Sequence, residues 1–229
     1  MTTRLIDTTL TVPAGASASF DFQPPDSDDM GLTALHIGRA SGATATAVGA
    51  EDDWMVTLSD FGTGEEIFSV GATALQALFS DGYHLPSPYR LDGAQRYEIK
   101  VENDGASDAG VALLIVGVGS EDLDDKPVEF LYDSVTLGAG AYDRRVVDVQ
   151  IGNWRARRLV VTSDAPDSVF ALEQDRTDIV QEANVSAWGH VLKSAPPPTP
   201  LALQSRAPLY WRVTAPSAAT IHLLAPLIS

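Results

Sequence analysis

The sequence predicts an all-β chain built as two tandem antiparallel β-sandwich domains with one or two short helices. Three observations carry this. Tyr97, Ile99 and Val101 alternate with Glu98, Lys100 and Glu102, the period of two that a strand shows when one face is buried and the other is wet. Asn103-Asp104-Gly105 then offers residues that tolerate positive φ, and Val111 to Val118 follows as an apolar run of strand length, so the stretch reads as a hairpin. The same pattern returns near the C-terminus, where Leu209, Trp211 and Val213 alternate with Tyr210, Arg212 and Thr214 ahead of an apolar run at Ile221 to Leu224.

The recurrence extends along the chain. Val213 lies at an offset of 112 from Val101, Thr136-Leu137-Gly138-Ala139-Gly140-Ala141 at 125 from Thr11-Val12-Pro13-Ala14-Gly15-Ala16, and Leu159 and Val161 at 124 from Leu35 and Ile37. This is the signature of a degenerate tandem repeat. The fall in offset puts about 12 extra residues in the first copy, between Ile37 and Val101, a length change that a surface loop absorbs at small entropic cost. With 229 residues, two domains of about 110 lie near the commonest domain size. The expected division is 1–120, an acidic, apolar-poor linker over 121–127, and 128–229.

Taken in order, Leu5 to Val12 reads as a first strand closed by the Pro13-Ala14-Gly15-Ala16 turn, and Ser17 to Phe22 as its partner. Pro24 to Asp29 is a loop. Leu32 to Ile37 and Ala43 to Val48 follow as strands, then Trp54 to Leu58 with Trp54, Val56 and Leu58 on one face. Ala72 to Phe79 is the best helix, its apolar residues spaced for one side and Asp81-Gly82 as its stop. Pro86 and Pro88 lack backbone N–H groups, so their segment is expected as an edge, a bulge or an extended lead-in. In the second copy Phe130 to Leu137, Arg144 to Ile151, Arg157 to Thr162 and Val169 to Glu173 continue the strand series, and Thr177 to Gly189 is expected as a short helix or a long excursion.

Bulk composition excludes several functions. A net charge of −16 leaves no basic stripe to neutralise phosphates, so neither nucleic acid nor an anionic membrane is expected as a partner. No apolar run reaches the roughly 18 residues of a membrane span, and Met1-Thr2-Thr3-Arg4 opens no secretion signal. Synthesis in a cytoplasm is the expectation. There is no cysteine, hence no disulfide or thiolate site.

Candidate chemistry is sparse. Asp26-Ser27-Asp28-Asp29-Met30-Gly31 gathers carboxylates as calcium requires, yet it places Met30 and Ile37 where an EF-hand loop needs oxygen ligands. The expected reading is a solvated turn, with Asp26, Asp28 and Asp29 as minor metal candidates and no cofactor. His36, His84, His190 and His222 stand singly, without the spacing that puts two ligands on one metal. No nucleophile elbow, phosphate loop or dinucleotide motif occurs, so no enzyme is expected. Trp54 and Trp211 fall at in-phase strand positions and read as core. Trp154 and Trp188 lie where indoles stand exposed as anchors for a sugar or a neighbouring subunit.

The segment Leu85-Pro86-Ser87-Pro88-Tyr89-Arg90-Leu91, the alternating strand after it, Glu102-Asn103 and the closing apolar strand resemble the β-sandwich repeats of bacteriophage virion proteins. A weaker echo at 196–224 lacks the Glu-Asn pair. The resemblance implies jelly-roll-like domains in a non-enzymatic capsid, decoration or tail-associated protein. Its location would be the virion, and its partners copies of itself, as a homo-oligomer, and other virion proteins. Contact candidates are Pro86, Pro88, Tyr89, Trp154, Trp188, Pro197 and Pro198. The alternative is a carbohydrate-binding or adhesin module using Trp154, Trp188 and acidic loops with calcium; a hydrolase on a sandwich is a third reading.

Overall fold

The computed structural model describes residues 3–42, 44–49, 52, 54–123, 126, 128–147, 153–156, 158–165, 167–174, 177–185, 201–204 and 208–228. The chain divides into two compact units, Met1–Glu129 and Phe130–Ser229.

In the first unit the strands are β1 (Thr3–Val12), β2 (Ala16–Phe22), β3 (Met30–Ser41), β4 (Thr44–Thr46), β5 (Trp54–Asp60), β6 (Glu66–Gly71), β7 (Tyr89–Leu91), β8 (Tyr97–Asn103) and β9 (Ala109–Gly119). One sheet runs β1-β9-β3-β4 with β7 also on β3, and the other runs β2-β8-β5-β6. The pairs nest: β5 with β6, β3 with β7, β2 with β8 and β1 with β9, all antiparallel. A single long hairpin has thus been rolled over on itself into two facing sheets, which is the jelly-roll topology. Alternation builds the core, because Ile99 and Val101 point inward and are fully buried while Glu98 and Lys100 stay part-exposed. The short helix α1 (Ala72–Leu78) packs on β3, where Phe79 meets His36 edge to face at 6.2 Å between ring centroids.

The second unit repeats the plan with β10 (Val128–Leu137), β11 (Ala141–Val147), β12 (Asn153–Ala156), β13 (Val160–Ser163), β14 (Val169–Gln174), β15 (Thr177–Asn184), β16 (Leu201–Gln204), β17 (Leu209–Ala215) and β18 (Ala219–Ile228). Its sheets run β10-β18-β12-β16, with β13 also on β18, and β11-β17-β14-β15. The nesting is the same: β14 with β15, β12 with β16, β11 with β17, β10 with β18. Residues from both sheets fill one core, among them Leu131, Val161, Phe170, Trp211 and Leu223.

The repeat read from sequence is realised in the register. Ala16 faces Asn103 and Ala141 faces Ala215, so offsets of 125 and 112 turn one pairing into the other. Both turns close alike, with Gly15 N donating to Asn103 O at 2.9 Å and Gly140 N to Ala215 O at 2.8 Å. Both glycines have positive φ, which a side chain would resist. One expectation is corrected. The segment from Thr177 is the strand β15 as far as Asn184, held by β14, rather than a helix or an excursion.

Candidate functional site

The proline segment is the extended lead-in to β7. Its register on β3 sets Gly31 opposite Arg90, and a Cβ on Gly31 would stand 2.5 Å from Pro88 Cβ and 2.5 Å from Leu123 Cδ2, so glycine is what admits Pro88 against the strand. Leu85 N donates to Thr33 O at 2.7 Å, and the buried Ser87 Oγ donates to Lys126 O at 3.3 Å. Those two residues anchor the segment inward and turn Pro86 outward, with Pro88 and Tyr89 half-buried. Burial pushes the Tyr89 phenol up to about 12, so it is neutral at ordinary pH.

Asn103, next to Glu102 in the motif behind the virion resemblance, is 2 % exposed. Its Nδ2 donates to Val12 O at 3.1 Å, Pro13 O at 3.3 Å and Ser107 O at 2.9 Å, while Oδ1 accepts from Gly105 N at 3.0 Å. One amide therefore ties the β1–β2 turn to the β8–β9 turn. The motif is a structural staple, and the second unit carries Ala215 in its place.

The acidic loop is a joint between loops. Asp29 accepts from Arg90 Nε at 2.8 Å and from Gly93 N at 2.9 Å. The Gly93 hydrogen bond first, and the Arg90 guanidinium after it, hold its carboxyl below the ordinary carboxylate value. Asp28 lies 3.7 Å from Arg4, whose guanidinium also donates to Pro25 O at 2.6 Å. Asp26 is exposed, with a φ of 64°. Among the described residues no three His, Asp or Glu side chains gather as a metal would require.

Trp154 corrects the expectation of an exposed indole. It is 4 % exposed and belongs to the core of the second unit, because β12 pairs with β16 and sets it opposite Leu203. Trp54 and Trp211 are buried as expected. Trp188, Pro197, Pro198 and His190 lie outside the described residues. His84 is exposed and His36 half-buried, its pKa lowered by burial. His222 is buried, shares a 2.7 Å hydrogen bond between Nδ1 and Ser134 Oγ, and has its pKa pushed down to about 4 by burial. No helix among the described residues is long and apolar enough to cross a membrane.

Sequence reasoning missed the outward face of β11, β17 and β14. Tyr142 and Val146, 58 % and 54 % exposed, flank Arg144, which stacks 3.8 Å over the Tyr210 ring and donates to Glu173 Oε1 at 2.9 Å. The signal was present in the alternation of Tyr142, Arg144 and Val146, which puts apolar side chains on the strand face that faces water.

Two nested eight-strand rolls in one chain define the class of a double jelly roll. The structures it is similar to are viral. The major capsid protein of STIV, Sulfolobus turreted icosahedral virus, matches with a TM-score of 0.52 at 14% identity, over 98% of this chain and 96% of that one. The major capsid protein P2 of bacteriophage PM2 matches with a TM-score of 0.51 at 11% identity, over 98% of each chain. At such identities the likeness is one of fold. It widens the resemblance from bacteriophages alone to an archaeal virus as well. No protein-family model and no curated protein sequence matches the chain.

Proposed function

We propose that the chain is a structural, non-enzymatic subunit of a virus shell, present in many copies. The observation that carries this reading is the span of the likeness: 96% and 98% of two major capsid chains are matched, both rolls included. That supports a capsid role over decoration or tail, since the shared architecture is that of the whole subunit. The chemistry agrees. Asp28, Asp29 and His222 serve as ties within the fold, and the net charge of −16 speaks against direct nucleic-acid contact. Partners are then copies of the chain and other virion proteins, with synthesis in the host cytoplasm and no resident cofactor. Mass spectrometry of purified particles tests it. The expected result is this chain among the most abundant particle proteins, and its absence from intact particles overturns the reading.

The adhesin alternative loses one of its two indole anchors with the burial of Trp154.

A further inference from the structure

The acidic stretch that leads out of β9 touches the first unit at two places. It begins as a single tight turn, Ser120–Asp122, closed by Leu123 N donating to Ser120 O at 3.3 Å. Leu123 then lies half-buried over Gly31, where a Cβ would also meet Pro88 and Val118. Three residues later, Lys126 O accepts from the buried Ser87 Oγ at 3.3 Å. β10 begins at Val128, so Pro127 alone separates this second fixing from the next strand. The glycine is peculiar to the first unit. Gly31 stands opposite Val118 on β9 as Arg155 on β12 stands opposite Ile228 on β18, and Arg155 lies at the recurrence offset of 124 from Gly31. Where the second unit carries a long exposed side chain, the first keeps the face bare. A glycine within a strand weakens it unless something approaches closely, and here Pro88 and Leu123 do.

We propose that residues 119–126 form an intrachain strap and that Gly31, Ser87 and Pro88 are its clasp, fixing the point at which the chain leaves the first roll, whether or not the chain builds a shell. The proline spacing then has an internal reason. Pro86 and Pro88 restrict the backbone on both sides of Ser87 to extended conformations, which presents its hydroxyl to the strap. A clasp stiffened in advance loses little freedom when the strap closes on it. Composition alone would leave the stretch in water, since Glu121, Asp122, Asp124 and Asp125 are like charges in one short run. Closure therefore rests on the apolar contact of Leu123 and the hydrogen bond at Lys126. Pro88, expected from sequence as a contact between subunits, serves instead as a wall of this seat.

The test is limited proteolysis of the full chain with a glutamyl endopeptidase, following the bond after Glu121 by mass spectrometry of fragments 1–121 and 122–229. Glu121 is exposed, so on a free tether it would be a favoured site. In the seated strap that bond should be cut roughly tenfold or more slowly than in a synthetic peptide of residues 115–130, because the protease acts only on the opened fraction. Leu123→Ser and Ser87→Ala should each speed the cut by about fivefold, and together by more than either alone, as the open fraction grows. Cleavage after Glu98 and Glu102 in β8, and the melting temperature, should stay at wild-type values. A wild-type bond cut as fast as the peptide would overturn the proposal, and so would variants cut at the wild-type rate. An acceleration shared equally by Glu98 and Glu102 would overturn it too, since the whole unit would then have loosened rather than the strap.

Discussion

Trp211 donates its indole Nε1–H to Asp133 Oδ2 at 2.8 Å, and Arg145 Nε approaches the same oxygen at 2.9 Å. Trp211 lies on β17 and Asp133 on β10, so the contact crosses from one sheet of the second sandwich to the other. At the repeat offsets the first unit holds Ile99, Thr8 and Phe20, so this polar clasp belongs to the second unit alone. Trp211 is 0 % exposed, and losing the carboxylate would strand a buried N–H. Asp133→Ala should destabilise the second unit by about 1–3 kcal/mol, read from denaturant unfolding; an unchanged midpoint would show that the clasp contributes nothing.

How much of this was legible in the sequence follows from distance along the chain. Alternation is local, so Tyr97 to Val101 and Leu209 to Val213 announced β8 and β17, and the paired offsets announced the duplicated register. The 12 extra residues also resolve. Val56 and Phe170 face Val101 and Val213, an offset of 114, so most of the insertion lies between β3 and β5, where β4 adds a short hairpin. By contrast Trp211 and Asp133 are 78 residues apart, and no local pattern pairs them. The strand β15 was obscured because Thr177 to Asn184 mixes polar and apolar residues without a clean period; pairing with β14 overrides weak propensity there. Trp154 misled because a strand end gives no sign of what will cover it.

Asn103 should be the least replaceable polar residue of the first unit. Asn103→Ala leaves the carbonyls of Val12, Pro13 and Ser107 and the N–H of Gly105 to find other partners, at a cost of about 1–3 kcal/mol if they stay buried. Asn103→Asp should fare no better, because a carboxylate cannot donate to three carbonyls. Thermal unfolding checks both, and an Asp variant as stable as wild type would contradict the donor role of Nδ2.

The joint at Asp29 makes a prediction with a sign. Its carboxyl pKa is held down in the folded chain, so its stabilising effect is present above the ordinary carboxylate value and is lost as pH falls through the folded value. Asp29→Asn should therefore be less stable than wild type near neutrality, and the difference should shrink in acid. Adding calcium or a chelator should leave the wild-type melting temperature unchanged. At Gly93 a Cβ would collide with the Ser27 and Asp28 backbone, and Gly93→Ala should cost about 1–3 kcal/mol.

His222 sets a second pH dependence, with a different window. Its folded pKa is about 4 against an ordinary 6.5, because burial disfavours the charged ring. Between these values the unfolded chain binds a proton that the folded chain refuses, so stability falls as pH is lowered from 6.5 toward 4. The full effect of this one group is on the order of 3 kcal/mol at 1.36 kcal/mol per pKa unit. His222→Gln removes the titration while keeping a polar partner for Ser134 Oγ. Subtracting the variant's stability from the wild type's at matched pH cancels the titration of all carboxylates common to both. That difference should be constant above pH 6.5 and decline toward pH 4, measured by urea unfolding at several pH values. A flat difference across the window would mean that the ring takes up its proton at the same pH in the folded chain as in the unfolded one.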